Sequence, residues 1–285
     1  MAVAATPRRA NTRIWGEAGH VLVGDAAAAA LPAEMPEFFR SARAQLVYLN
    51  PEPDRWRDGK ERDLDPALND AQAIEHFIDL EAVPGNALNA VNRYAFLDSI
   101  HAHGGTGPGP GMLPYRILEL TQTLRIEFRL WRAATEPATR KAIEERIIND
   151  AGILGHYVGD GSNPHHTTVN HDGWSQPWNP KGFTTAKGFH SRFERLYVES
   201  HIIAADVQPL VPRTPQTIMP LRDGIWSYFH ATFDRLDRLY ELEKVEPFGP
   251  LTRSAEHKRF TAERLAAGAT MLRDLWWTAW ITSAP

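Results

Sequence analysis

The chain has no cysteine among its 285 residues, so it can build neither a disulfide framework nor a thiolate metal site. Any metal it holds must be bound through nitrogen and oxygen. It has no apolar run long enough to cross a bilayer and its mean hydropathy is −0.38, which excludes a transmembrane helix. Cationic excess is also missing: 31 Lys and Arg face 35 Asp and Glu, for a net charge of −4. No global basic field can therefore hold a polyanion, and a local cation is needed for that. Residues 1–14 carry two adjacent arginines but not the apolar stretch of a secretory signal.

Several motifs are missing too. Alternating strand-like patterns are scarce, and no strand–GxGxxG–helix unit, P-loop or GxSxG elbow is present, which removes dinucleotide, Walker-type and serine-nucleophile chemistries. The glycine cluster at 104–111 reads as a surface loop. No internal repeat is found.

What remains is a globular composition, with 43% hydrophobic and 23% charged residues, in a chain near the upper size of a single core. Helical periodicity dominates. From Thr123 to Asp160 apolar positions recur at three and four residue intervals, and Pro137 opens the second of two long helices. Residues 17–31, 36–48, 86–101, 188–205, 216–243 and 254–282 also read as helix, the last with Leu265, Met271, Leu272, Leu275 and Trp276 near one face. Loops are expected at 49–70, 101–114, 161–187 and 206–215, which are rich in Pro, Gly, Asn or Asp. The pattern predicts a single all-α domain over residues 15–285, after an N-terminal tail, 1–14, that is either removed or disordered.

The most informative stretch is HYVGDGSNPHH. Four residues apart on a helix, His156 and Asp160 share a face and can close on one ion. Pro164 stops that helix, and the turn beyond it can swing His165 or His166 back towards a neighbouring ion. His190 and Glu194 repeat the spacing. A lone pair of this kind is more often an ordinary hydrogen-bonded pair than a ligand set. Two pairs, a trailing histidine, and His76, Asp79 and Asp54 upstream shift the balance towards metal. His101, His103, His171, His201, His230 and His257 read as structural or solvent-exposed.

The ordered set WGEAGH, PDRWR, HFID, HYVGDGSNPHH and HSRFE resembles the zinc phosphodiesterase superfamily that joins single-strand-specific nucleases to bacterial zinc phospholipases C. The motifs span residues 15–194. The resemblance implies an all-α fold with three zinc ions at the bottom of a cleft. It implies that Asp54, His76, His156 and Asp160 hold one ion and that His166, His190 and Glu194 hold a second. A third is bridged by Asp160 and completed by His20 and by the backbone amine and carbonyl of Trp15.

Two departures accompany the match. Family members begin at the residue equivalent to Trp15, whose free amine is a ligand, whereas fourteen residues precede it here. Either the chain is cut between Ile14 and Trp15, or the third site is held by His20, Asp160, a carbonyl and water. His165 stands where the family has an apolar residue, which leaves it as the substitute should His166 not be the ligand.

Metal ions in such a set turn water into a nucleophile at neutral pH and stabilise the departing oxygen of a phosphodiester. The resemblance implies a single-strand-preferring nuclease that leaves 5′-phosphates, with Asp54 orienting the attacking water and Arg57 neutralising a phosphate oxygen. It implies further that Phe77 stacks on a base and that Asp79 hydrogen-bonds it. Glu194 and the missing cysteine point instead to a phospholipase C acting on phosphatidylcholine-like lipids, for which Trp174, Trp178 and Phe183 would form an apolar rim. A third possibility is a non-catalytic helical protein that uses zinc for stability. The substrate is accordingly single-stranded nucleic acid or phospholipid, and no stable protein partner is implied. Family members are exported.

Overall fold

Two long antiparallel helices, Leu113–Ala133 and Pro137–Ser162, form the axis of the computed structural model, which describes residues 16–106 and 109–285. Each has a proline in its first turn, where the missing N–H costs nothing, and three residues join them. Trp131 on the first donates to Glu144 on the second at 3.0 Å. Among the described residues all the regular structure is helical, and the single bridge between His171 and Gly173 makes no strand. The domain is all-α and single, as the periodicity predicts.

The second long helix is central. It is amphipathic at its start, but from Ala151 to Ser162 every residue is buried, because the chain encloses those turns on all sides. The first helix, Glu17–Ala29, the short helix Arg43–Leu49 and the last helix, Ala255–Ile281, all pack against it. Close approach is made possible by glycine. A Cβ at Gly152 would strike Leu49, at Gly155 the Asn50 side chain, and at Gly159 the ring of His20. The first helix answers with its own small buried residues, Gly19, Gly24, Ala26 and Ala27. The last helix is pinned by Trp276, buried against Phe39 and donating to the carbonyl of Ala151 at 3.2 Å.

Several boundaries differ from those read in the sequence. The stretch 49–70 is not a loop: it holds the helix Glu52–Arg55, then Gly59–Leu64, then Pro66–Ala73. These turns are mostly exposed and have no apolar stripe to betray them, although Asp58 caps the second through the N–H groups of Lys60 and Glu61. The helix expected over 86–101 starts only at Arg93, capped by the Asn92 side chain. The helix expected over 216–243 is broken into Leu221–Phe233 and Leu236–Val245. After Ser162 the chain tightens into a single 3₁₀ turn, Pro164–Thr167, capped by Asn163. Further on, Phe189–Ser191, Arg192–Tyr197 and Val198–His201 run on as one helix whose middle segment is π-wound, a widening common where a helix presents functional side chains.

Within 171–187 the apolar rim is only partly present. Phe183 is core, at 4% exposure, packed with Trp174 against Tyr240. Trp178 alone of the three is freely exposed, at 77%.

Candidate metal centre

Eight side chains from six segments converge at the central helix. His20 comes from the first helix, Asp54 from Glu52–Arg55, and His76 from the end of the 3₁₀ turn Ile74–His76. The central helix supplies His156 and Asp160, the 3₁₀ turn after it His166, and the π-widened helix His190 and Glu194. Trp15, the remaining expected ligand, lies outside the described residues.

Asp160 sits at the middle. Its Oδ2 lies 3.0 Å from His76 Nδ1 and 3.3 Å from His156 Nε2, while its Oδ1 lies 3.6 Å from His20 Nε2 and 3.5 Å from His166 Nδ1. Asp54 closes the other side, with Oδ1 at 3.5 Å from His156 Nε2 and 3.9 Å from His76 Nδ1. Glu194 Oε2 is 2.8 Å from His190 Nε2 and 3.5 Å from His166 Nε2.

Three donor sets result, in each of which the ligand atoms lie within 4.8 Å of one another: Asp54, His76 and His156; His20, His156 and Asp160; and His166, His190 and Glu194. The third set is the expected one. The first contains three of the four residues expected around one ion, with Asp160 Oδ2 adjoining. In the second, His156 joins His20 and Asp160.

This arrangement fits divalent cations. Donors bound at about 2.0–2.2 Å around a tetrahedral ion sit roughly 3.3 Å from one another, and most spacings here run from 3.0 to 3.9 Å. Both ring nitrogens of His20, Asp54 Oδ1 and Asp160 Oδ1 are buried without a hydrogen-bond partner, an arrangement that is costly unless a ligand satisfies them. Asp160 and Glu194 are buried and Asp54 retains only 14% side-chain exposure. Three carboxylates so enclosed call for positive charge. Solvent reaches the cluster on the Asp54 side.

The ring tautomers are set by backbone. His156 donates Nδ1–H to the carbonyl of Asn50 at 2.9 Å, which leaves Nε2 with its lone pair facing Asp54, His76 and Asp160. His166 donates Nδ1–H to the carbonyl of His76 at 2.6 Å, leaving Nε2 to face Glu194.

Electrostatics keeps His20, His76 and Asp160 in ligating form and, with no cation present, pushes Asp54 and His156 the other way. Burial holds His20 well below the ordinary histidine value, helped by His156, and lowers His76 to about 4 against the pull of Asp160. Burial alone would protonate Asp160, but His166 and His156 hold it well below the carboxylate range. Asp54 is pushed up to about 7 by burial, opposed by His156 and reinforced by Asp160. His156 is raised: burial lowers it, but Asp160 and Asp54 outweigh that.

Arg57 is not a solvated surface charge. It is 8% exposed, its N–H bonds the Asp54 carbonyl at 3.1 Å, and Asp54 and Asp160 both act on its guanidinium. Phe77 is buried at 9% exposure and Asp79 is half-buried. The two run beside the 110–113 segment, which Phe77 holds through its carbonyl and Asp79 through its N–H.

His165 belongs to none of the donor sets. It stacks on the ring of His190 at 4.7 Å and meets Phe189 edge-on at 4.6 Å, packing behind the third set without adding an atom to it. Among the histidines set aside in the sequence, His257 is structural, its Nε2 lying 2.8 Å from the Glu246 carbonyl.

Sequence reasoning missed the supporting residues. The Asn163 side chain lies 3.4 Å from Glu194 Oε2 and caps the His165 N–H. Asp172 Oδ1 accepts from the N–H groups of Gly188 and His190, at 2.7 and 3.2 Å, and so fixes the start of the helix that carries His190 and Glu194. The Asn163–Pro164 pair was a legible signal for the first of these. Asp172 had none.

Compared with known proteins, the chain matches no family model, no curated protein and no solved structure.

Proposed function

We propose that the protein is a zinc-dependent phosphodiesterase acting on single-stranded nucleic acid and leaving 5′-phosphates. The observation that carries this reading is the placing of Asp160, whose two carboxylate oxygens face different members of a histidine cluster that also contains two further carboxylates. Structural zinc sites are closed and four-coordinate, whereas this set is rich in oxygen donors and is approached by solvent beside Asp54.

The first donor set would hold one ion, His20 with Asp160 would serve a second, since His156 has only Nε2 free and cannot serve both, and His166, His190 and Glu194 would hold another. Bound zinc supplies Lewis acidity and lowers the pKa of water. The chain's own residues do the rest. Asp54, the carboxylate of the cluster that solvent reaches, would accept the proton of an attacking water. Arg57 beside it offers a guanidinium to a non-bridging phosphate oxygen, the local cation that a chain of net charge −4 needs. An O–P bond forms opposite the 3′-oxygen, which leaves with the pair of the breaking P–O bond. Phe77 and Asp79, next to His76 in the chain, are the base contacts in this reading.

The test is hydrolysis of bis(p-nitrophenyl) phosphate, single-stranded DNA and phosphatidylcholine by zinc-loaded protein, with and without chelator. Chelator-sensitive cleavage of DNA, with Arg57→Gln lowering kcat on the order of 10²-fold at unchanged zinc content, is the expected result. Cleavage of the lipid alone would make it a phospholipase C, and three intact substrates would leave a metal-stabilised protein without catalysis.

A further inference from the structure

The last helix carries a guanidinium with nothing to hold. Arg264 Nε is buried without a partner, and among the described residues the side chain makes no hydrogen bond or ion pair; its ring neighbour, Phe260, is 6.0 Å away. Burial lowers its pKa, and Arg235 lowers it further, against the weaker pull of Tyr228 and Glu263. A guanidinium mostly enclosed and without a hydrogen-bonded partner is unfavourable unless an anion joins it.

Arg264 opens onto a pocket of about 500 Å³, within the range of small-molecule sites, between the last helix, Tyr228 and the 210–212 segment. Apart from Arg264 the lining is largely apolar: Leu210, Pro212, Ala266, Ala267 and Met271. Neither of its two carboxylates bonds the guanidinium, although Glu263 acts on it through space. Asp274 is taken up by Arg273 at 2.6 Å and by the Gln216 N–H at 3.0 Å, and Glu263 points to the exposed Arg259 at 3.9 Å. Tyr228 forms a wall and is itself committed, its hydroxyl donating to the Val158 carbonyl at 2.7 Å. One unanswered cation at the edge of an apolar pocket selects a ligand with one acidic group and a short hydrocarbon body.

We propose that this pocket binds a small amphipathic anion, its carboxylate or phosphate head on Arg264 and its apolar body against Leu210, Ala266, Ala267 and Met271. It lies apart from the metal ligands, and its occupancy is independent of phosphodiesterase activity.

The probes are octanoate, octyl phosphate and octylammonium, each below its micellar range, titrated calorimetrically into the whole protein with and without chelator. Saturable binding of either anion, unaffected by chelator and weaker by at least tenfold for octylammonium, supports the site; which anion binds tighter identifies the head group. Arg264→Gln is expected to weaken the anion on the order of 10- to 100-fold, and Ala267→Phe, which fills the pocket from the same helix, to weaken it comparably. Thermal unfolding checks that both variants fold, and the comparison of cation with anion on the unmodified chain needs no variant. Equal binding of octylammonium, no binding of either anion, or full affinity in folded Arg264→Gln would overturn the proposal.

Discussion

His166 and His76 hold each other in place across ninety positions of sequence: the ring of His166 donates to the carbonyl of His76 at 2.6 Å, and the N–H of Ile78 returns a bond to the carbonyl of His166 at 2.8 Å. One metal-facing residue is thereby the orienting partner of another. The donor sets are coupled through backbone as well as through Asp160, so they are expected to respond to substitution as a connected unit.

Asp160→Asn removes the charge at the middle of the cluster. Elemental analysis of the purified variant is expected to show more than one metal equivalent lost, because the carboxylate faces His20 and His166 with one oxygen and His76 and His156 with the other. A loss of one equivalent or less would count against sharing.

The two adjacent histidines should separate cleanly. His166→Phe is expected to empty the site it forms with His190 and Glu194 and, by freeing the His76 carbonyl, to weaken the neighbouring one, at the cost of at least one equivalent. His165→Phe, placed among Phe189, Phe193 and Tyr240, should retain full metal content. Metal loss from the second variant alone would reverse the assignment.

Gly159→Ala tests how close the first helix must come. A Cβ there would lie 2.9 Å from His20 Nδ1, tighter than real contacts allow, so the ring must move. Competition with a chromophoric chelator is expected to show about a 10- to 100-fold weaker site for the ion that uses His20, with roughly 1–3 kcal/mol lost in urea unfolding. Unchanged affinity would mean His20 is not a ligand.

In the metal-stripped protein the buried histidines of the centre should cost stability as pH falls from 6.5 towards 4. Burial lowers His20 and His165 well below 6.5 and His76 to about 4, so in that window the unfolded chain takes up protons that the folded chain refuses. Asp54 works the other way. Burial raises it from 3.8 to about 7, and the folded chain then keeps a proton that the unfolded chain releases; Glu127, raised to about 7, and Glu243 and Asp274, also raised by burial, act in the same direction. The histidine share is therefore read by difference: the urea midpoint of the stripped protein is expected to fall more steeply on acidification than that of a His20→Phe, His165→Phe double variant. The contribution of the raised His156 is fully present below 6.5 and is lost only above it, while that of the lowered Asp160 is lost only below 3.8. Equal slopes would contradict the assignment.

Much of this was legible in the sequence because helices advertise themselves by spacing. The buried Ile117, Leu120, Leu124 and Phe128 recur at three and four residues, and the four-residue steps from His156 to Asp160 and from His190 to Glu194 place each pair on one face whatever surrounds them. His20, Asp54 and His76 carry no such mark. Only their order along the chain singled them out, and their convergence depends on packing that no local pattern encodes. The helices Gly59–Leu64 and Pro66–Ala73 escaped because they bury little, so periodicity had nothing to register, although Asp58 before them was a readable cap. The carbonyls of Asn50 and His76 were beyond reach, since every residue has a carbonyl and only the fold selects which one faces an imidazole.

The last helix lies against both the helix of His20 and that of His156, and this governs when the centre can come into being. A chain made only as far as Glu194 displays the whole donor set, yet it lacks the strut that presses the first helix onto Gly159. Tight cation binding is therefore expected only once residues 255–281 have joined the fold.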